Sequence, residues 1–355
     1  MCLAYVDHFG GHAQAVVHHQ RFRRILDRHS SKALFELLRE PRRHFRTALV
    51  SRAIARGGGA SCDSKGRQYL NIGHTGLNSG DFRKWVQRSG VRPVYFIHDL
   101  IPITDPQFCR PGEAEVHRER MRTVLATASG VIGNSQATLD ELANFAAAER
   151  YRFPPAVAAW LGCTPLLPNP AETVEEPSFL CLGTIEARKN HLLLLQIWSR
   201  MIARLGDKTP RLKIVGQRGW EAEQVFHALD CDTSLRPYVS EIKACTDREL
   251  ASHLANASAL LFPSFAEGFG LPLVEALAAG VPVIASDLPV FREIGQGVPM
   301  LLDSEDPSAW EAAILDYARP ESAARAGQLG RMQGFRLFDW ASHFRSVERF
   351  LDSIG

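Results

Sequence analysis

The most informative stretch of the sequence, residues 262–277, joins a glycine-containing loop to the start of a helix. Pro272 suits the first turn of a helix, because the N–H that proline lacks has no intrahelical partner there. The backbone N–H groups of Gly268, Phe269 and Gly270 are therefore expected to lie free at a helix N-terminus. Such a terminus binds phosphate through direct hydrogen bonds and through the helix dipole.

Two carboxylates, Glu267 and Glu275, lie in this stretch with seven residues between them. Both would compete with a phosphate for the positive end of the helix unless they point past it. An ionised carboxylate only accepts hydrogen bonds, so its natural partners beside a diphosphate are sugar hydroxyls. The alternative is that both residues merely stabilise the helix start electrostatically.

A second segment of the same half carries adjacent cations, Arg188 and Lys189, shortly after an apolar run at residues 179–183. Arginine grips a diphosphate through its planar fork and lysine acts as a point charge. Most such pairs are solvated, so the signal gains its strength from the glycine-containing helix start nearby. In the first half, His98 follows the apolar run 94–97 and precedes Asp99, which predicts a histidine at the end of a buried strand.

The elements that must position these residues alternate along the chain, which favours βαβ units and parallel sheets. Predicted strands lie at residues 69–72, 94–97, 131–133, 156–161, 179–183, 212–216, 259–263 and 281–285. The clearest predicted helices of the first half lie at residues 10–26, 81–88, 112–128 and 136–147. Two doubly wound α/β domains facing a cleft are the simplest architecture, and ligands of such sheets bind at the carboxyl ends of the strands.

The length of 355 residues also favours two domains, because a single core seldom grows beyond about 250–300 residues. Residues 164–170 contain three prolines in six positions and predict a linker. We therefore place a first domain at 1–165 and a second at 166–336. A terminal helix at 337–355 either crosses back to the first domain or packs on its own.

The composition, with 45% hydrophobic and 23% charged residues, excludes a disordered or fibrous chain. No apolar run is long enough to span a membrane, and the N-terminus does not resemble a signal peptide. The seven cysteines lack metal or redox spacing, which favours free thiols in a reducing cytoplasm. Residues 1–165 hold 23 Lys/Arg and 14 Asp/Glu, so either the first half meets an anionic partner or its arginines are simply solvated.

The segment from Glu267 to Ala276 resembles the nucleotide-sugar motif of the retaining glycosyltransferases of family 4, which have the GT-B fold. The segments around Arg188 and 281–286 fit the same family. The string His-Asp-Leu-Ile-Pro at 98–102 is similar to that of polysaccharide and O-antigen mannosyltransferases. The resemblance covers residues 69–355 well and 1–68 poorly.

This resemblance implies that Glu267 faces the donor sugar, that Glu275 binds the ribose hydroxyls and that His98 contacts the donor sugar. It places the nucleobase near strand ends, mostly on backbone groups, and makes His74 and Asn134 either cleft-facing residues or turn residues. The residues expected to act in catalysis are His98, Glu267, Arg188 and Lys189. The residues expected to bind the donor are Glu275, Gly268, Phe269, Gly270, Gly216, Ile242, Asn134 and His74.

The implied reaction transfers a hexose with retention of configuration, most simply by a front-face route in which the leaving phosphate takes the acceptor proton. GDP-mannose is the first choice of donor, and a glycan or lipid-linked oligosaccharide is the expected acceptor. With no Asp-x-Asp pattern at a strand end, we expect no required metal, and no nucleic-acid partner. The expected location is the cytoplasm, with peripheral contact at the inner face of the membrane.

This sequence departs from the family at the N-terminus. Family members begin with a strand and a glycine-containing loop, whereas this chain opens on what looks like the helix that follows them. We therefore expect the first domain to lack its opening strand, which puts activity in doubt. Two alternatives stay open: a non-catalytic nucleotide-sugar-binding subunit, and a sugar-nucleotide epimerase of the same fold. A dinucleotide dehydrogenase is disfavoured, because no Gly-x-Gly-x-x-Gly follows a strand.

Overall fold

The computed structural model describes residues 1–19, 22–39, 64–164 and 177–355. The predicted linker at 164–170 and the boundary at 165/166 lie almost entirely outside the described residues. Within the described ranges, no helix is long and apolar enough to cross a membrane. The helices are α1 Cys2–Phe9, α2 Arg28–Arg39, α3 Asp81–Ser89, α4 Ile101–Thr104, α5 Glu113–Thr127, α6 Gln136–Ala148, α7 His191–Leu205, α8 Glu223–Cys231, α9 Asp247–Ala255, α10 Leu271–Ala278, α11 Pro289–Ile294, α12 Pro307–Tyr317, α13 Ala323–Met332 and α14 Trp340–Ser353.

Two parallel sheets confirm the α/β prediction, one in each half of the chain. The strands are β1 Val16–His19, β2 Phe22–Ile25, β3 Gln68–Asn71, β4 Arg92–Ile97, β5 Gly130–Gly133, β6 Ala156–Ala158, β7 Ser178–Leu182, β8 Arg211–Val215, β9 Val239–Ile242, β10 Ala259–Phe262, β11 Val283–Ser286 and β12 Met300–Leu302. Their central strands are mostly apolar and buried, as is typical of strands covered by helices on both faces.

The second sheet has the order β12-β11-β10-β7-β8-β9. The chain therefore runs outward from β7 in one direction, returns to the centre and continues from β10 in the other. Strands β7 and β10 lie side by side at the point where the order reverses. In open parallel sheets a crevice forms at this point, outside the carboxyl ends of the strands, and it is where ligands bind.

The first sheet has four described strands in the order β3-β4-β5-β6. The expected helix at residues 10–26 is wrong, because β1 and β2 form an antiparallel pair there. The β-branched pair Val16 and Val17 favours an extended chain, and the glycines at 10 and 11 end the preceding helix α1. The strand expected at 156–161 is also shorter than predicted, since β6 ends at Ala158.

The last helix, α14, lies against the first half of the chain. Its His343 hydrogen-bonds through Nε2 to the Tyr5 hydroxyl at 3.0 Å and through Nδ1 to the Trp160 carbonyl at 3.0 Å. Gln68, at the start of β3, donates to the Leu351 carbonyl at 2.8 Å. An apolar stripe of α14 is buried in a core that includes residues of both halves, so packing joins them into one body.

Candidate functional site

The two loops that the sequence singled out meet at the reversal point of the second sheet. One follows β7 and ends in a short 3₁₀ turn, Ala187–Lys189. The other follows β10 and leads into α10. The Phe265 N–H donates to the Arg188 carbonyl at 2.8 Å, which ties the loops together. The residues predicted to bind the phosphate and the sugar therefore lie around one crevice.

Side chains from these loops form a buried charged cluster, which we call the charge quartet: Glu186, Arg188, Lys189 and Glu267. Arg188 reaches Glu267 Oε2 through Nη1 at 2.9 Å and Glu186 Oε1 through Nη2 at 2.6 Å. Lys189 Nζ binds the other Glu267 oxygen, Oε1. Ser264 also donates to Glu267 Oε1, at 2.8 Å. The sequence analysis expected three members of the quartet in the site but did not predict Glu186.

Electrostatics keep the central pair of the quartet ionised. Burial alone would raise the pKa of Glu267, but the charges of Lys189 and Arg188 outweigh it and hold that pKa below its usual range. Burial alone would lower the pKa of Arg188, and the charges of Glu267 and Glu186 raise it above its usual range instead. With two cations and two carboxylates, the quartet has no formal charge, so its buried ions are compensated internally.

In the part of the chain that the structure describes, the loop before α10 leaves three backbone N–H groups unpaired at the helix N-terminus, as the sequence predicted. Within the described residues, no acceptor is paired with the N–H groups of Gly268, Phe269 and Gly270. The Phe269 side chain is buried in the core, so only its backbone faces the loop. Gly270 has a φ of +96°, and a Cβ there would lie 2.5 Å from the Phe291 ring, which excludes other residues.

Glu275 lies on the second turn of α10 and is partly buried. Among the described residues, no donor hydrogen-bonds to its carboxylate. Burial, with a smaller contribution from Asp247, raises its pKa. The carboxylate is thus an acceptor without a protein partner, as ribose binding requires, but its role stays a prediction.

Gly216 and Ile242 lie at the carboxyl ends of β8 and β9, and the Gly216 N–H donates to the Ile242 carbonyl at 2.9 Å. A Cβ on Gly216 would come within 1.9 Å of the Gly183 carbonyl oxygen. Gly216 is therefore a glycine because the loop after β7 crosses it closely. That contact explains the residue type without a direct ligand role, so its predicted part in donor binding remains untested.

The first domain brings His98 and Asn134 together in an unexpected way. Asn134 is almost fully buried, and its Nδ2 donates to the His98 carbonyl at 2.6 Å. Its Oδ1 accepts from the Thr138 hydroxyl at 2.9 Å. The side chain therefore holds the backbone at His98 and is not exposed at the cleft surface.

His74 and His98 lie with their ring centroids 5.4 Å apart, and the His117 ring lies 5.7 Å from His74. His74 Nε2 lies 2.9 Å from the Phe96 carbonyl oxygen, and His98 Nε2 lies 2.8 Å from the Ile72 carbonyl oxygen. Because a carbonyl oxygen only accepts, Nε2 is the donor in both contacts. Burial, followed by the neighbouring His98, lowers the pKa of His74 to about 3, so this ring is neutral at physiological pH.

The two domains touch at the glycine loop. A Cβ on Gly268 would lie 2.7 Å from the His98 carbonyl oxygen and 3.0 Å from Asp99 Cβ. The Thr138 hydroxyl contacts the Gly268 carbonyl at 3.4 Å. Further out, the Phe108 and Phe265 rings stack across the same gap, with centroids 5.1 Å apart. Sequence reasoning missed these pairs, because residues far apart in the chain leave no local signal.

Comparison with known proteins agrees with this geometry. Residues 176–319 match the family model for glycosyl transferases group 1. The matched residues, less than half of the chain, lie in the second domain. That domain contains the six-stranded sheet and both loops of the crevice.

The chain is also similar to curated proteins. It is similar to the serotype-specific mannosyltransferase WbdA of Escherichia coli, with 36% identity over 40% of this chain and 17% of WbdA. It is similar to the O-antigen chain mannosyltransferase B of Escherichia coli, with 30% identity over 45% of this chain and 42% of that protein. The chain thus spans less than half the length of these relatives.

Solved structures share the fold across most of this chain. HepE of Anabaena, solved in complex with UDP-glucose, gives a TM-score of 0.63 at 15% identity, covering 80% of this chain and 78% of HepE. Sucrose-phosphate synthase from Thermosynechococcus elongatus gives a TM-score of 0.61 at 19% identity, covering 97% of this chain and 87% of the synthase. These likenesses confirm the predicted GT-B fold with two Rossmann-like domains.

Proposed function

We propose that this glycosyltransferase moves a hexose from a nucleotide-sugar donor to a hydroxyl of a glycan or lipid-linked acceptor, with retention of configuration. The observation that carries the proposal is the joining of the charge quartet and the unpaired loop N–H groups at one crevice. Cations and fixed amide dipoles in such a place stabilise the negative charge that develops on a leaving diphosphate. In this proposal Arg188 and Lys189 bind the diphosphate together with the amides of Gly268–Gly270.

The contacts of Glu267 favour the front-face route over a covalent intermediate. Its two oxygens already accept from Ser264, Arg188 and Lys189. A carboxylate held in this way is a weak nucleophile, because its charge is shared among strong donors. Glu267 therefore orients the cations and accepts from hydroxyls of the transferred hexose, while the leaving phosphate takes the acceptor proton.

Mannose, supplied by GDP-mannose, is the proposed hexose. The support is that similar proteins carry the name mannosyltransferase, including two that act in Escherichia coli. A calorimetric titration with GDP, UDP and ADP, followed by their sugar conjugates, tests the donor. Binding of GDP and GDP-mannose supports the proposal, and preference for a different nucleotide contradicts the GDP assignment.

The Glu275→Ala variant tests the site itself. Without an acceptor for the ribose hydroxyls, transfer should fall by about 10- to 100-fold, since a lost charged hydrogen bond costs roughly 1.5–3 kcal/mol. The exposed Glu305→Ala variant is the matched control. Normal turnover by Glu275→Ala would contradict the assignment, and donor binding without any transfer by the unmodified chain would favour the non-catalytic subunit.

We also propose peripheral contact with the inner face of the cytoplasmic membrane. The support is the excess of Lys/Arg over Asp/Glu in residues 1–165, 23 against 14, which suits an anionic lipid surface. Co-sedimentation with phosphatidylglycerol vesicles and with phosphatidylcholine vesicles tests this. Binding confined to the anionic vesicles and weakened by salt supports the contact, and equal sedimentation with both contradicts it.

A further inference from the structure

We propose that Asp99 binds substrate directly, its carboxylate accepting a hydrogen bond from a hexose hydroxyl in the cleft between the domains. The inference rests on the proposed function. Asp99 belongs to the first domain and lies opposite the loop between β10 and α10 of the second domain, which we call the donor loop. The chemistry is that of a neutral sugar hydroxyl, which either the transferred hexose or the acceptor sugar can supply.

The position of Asp99 is fixed by its backbone. It follows β4 at the carboxyl end of the first sheet, the edge at which parallel sheets bind ligands. The preceding carbonyl, that of His98, accepts from Asn134 at 2.6 Å, and its own carbonyl accepts from His117 Nε2 at 3.2 Å. Two buried side chains from other elements therefore hold this peptide, as a preorganised ligand requires.

Only one oxygen of the Asp99 carboxylate is hydrogen-bonded within the described residues. Oδ1 accepts from the Ile101 N–H at 3.2 Å at the start of α4. Oδ2 has no hydrogen-bond or ion-pair partner among the described residues, and it lies 3.3 Å from where a Cβ of Gly268 would be. This carboxylate oxygen at the domain junction is therefore free to accept a hydrogen bond from a ligand.

The negative charge of Asp99 determines which part of a substrate can lie beside it. Asp99 lies close enough to Arg188 to raise the pKa of that guanidinium further. A diphosphate at Arg188 would be repelled by the Asp99 carboxylate if it extended toward it. The space beside Asp99 therefore suits the uncharged, hydroxyl-bearing part of the substrate, and sugar hydroxyls are the donors such a part offers.

The Asp99→Asn variant separates binding from fold. An asparagine keeps an oxygen for the Ile101 N–H but turns the other acceptor into a donor, so the start of α4 is preserved. Thermal unfolding should be unchanged. GDP binding should be unchanged as well, while kcat/KM for transfer from GDP-mannose to octyl α-mannoside falls about 10- to 100-fold. Asp140→Asn, which removes an exposed carboxylate from α6 of the same domain, is the control and should keep wild-type rates.

Two measurements distinguish the source of the hydroxyl. If the transferred hexose supplies it, the affinity for GDP-mannose falls while that for GDP does not. If the acceptor supplies it, the KM for octyl α-mannoside rises and both nucleotide affinities stay the same. Wild-type kinetics in Asp99→Asn, or an equal loss of GDP and GDP-mannose affinity, would overturn the inference. In either event, transfer by the unmodified chain would leave the proposed function standing.

Discussion

The Glu293 carboxylate of α11 accepts the indole N–H of Trp160 at 2.5 Å, joining the two halves of the chain. It also accepts the backbone N–H groups of Gln136, at 2.8 Å, and Ala137, at 3.0 Å. These amides open α6, so a carboxylate from the second domain meets the positive end of a helix of the first. This side chain is therefore one of the contacts that hold the two domains against each other.

The Glu293→Gln variant tests this junction. Removing the charge weakens three hydrogen bonds at once, and we expect a loss of about 1–3 kcal/mol in the free energy of unfolding. Urea denaturation followed by tryptophan fluorescence measures it. Glu305→Gln, an exposed residue of the same domain, should lose nothing. Equal stability of the two variants would show that the junction does not depend on Glu293.

The Gly268→Ala variant tests the contact between the donor loop and the first domain. Its new Cβ would lie 2.7 Å from the His98 carbonyl oxygen, so the loop or that peptide has to shift. We expect a marked fall in kcat/KM, since a displacement of about 1 Å at a reacting centre can cost on the order of 100-fold. Gly330→Ala, on a helix with open space around the added methyl, should keep full activity. Comparable kinetics in both variants would contradict the close contact.

A double-mutant cycle tests the charge quartet. Lys189→Met leaves Glu267 with one cation fewer and should destabilise the fold by about 3–5 kcal/mol, as should Glu267→Gln. The double variant should lose clearly less than both changes added together, because it leaves no unpaired ion in that contact. Urea unfolding gives the three free energies. Strict additivity would show that the two residues do not interact.

Glu141 on α6 should make stability depend on pH. Burial, followed by the charges of Asp99 and Asp105, raises its pKa from 4.5 to about 7. Between these values the unfolded chain has released the proton and the folded chain still holds it, so stability falls as pH rises through this window. The full change amounts to roughly 3 kcal/mol. Glu141→Gln should flatten the curve of unfolding free energy against pH, and an unchanged slope would contradict the raised pKa.

Transfer should not require a divalent metal. Within the described ranges, no group of three or more His, Cys, Asp or Glu side chains is placed to hold one. Arg188, Lys189 and the loop amides supply positive charge where the leaving diphosphate is proposed to bind. Activity with GDP-mannose should therefore be the same in EDTA and in Mg²⁺. Loss of activity in EDTA that Mg²⁺ restores would contradict this prediction.

The sequence by itself determined what depends on neighbouring residues. The loop and helix at 263–278 follow from proline and glycine placement. Most strands of the two parallel sheets follow from short, continuous apolar runs, but β9 and β12 were not predicted. These signals are local, so the fold class and the two loops that follow β7 and β10 could be predicted, but the adjacency of those strands could not. The hairpin at β1 and β2 escaped prediction, because its short segments combine apolar and polar residues in a pattern that also suits a helix.

Only the tertiary structure decided which of these residues meet. Nothing local shows that Lys189 pairs with Glu267, 78 residues away, or that Asn134 turns inward to the His98 carbonyl. The same holds for Glu293 on Trp160 and for Asp99 beside Gly268. Charges and hydrogen-bond groups act over a few ångströms, so their partners are set by how the sheets and domains pack, which no short stretch of sequence encodes.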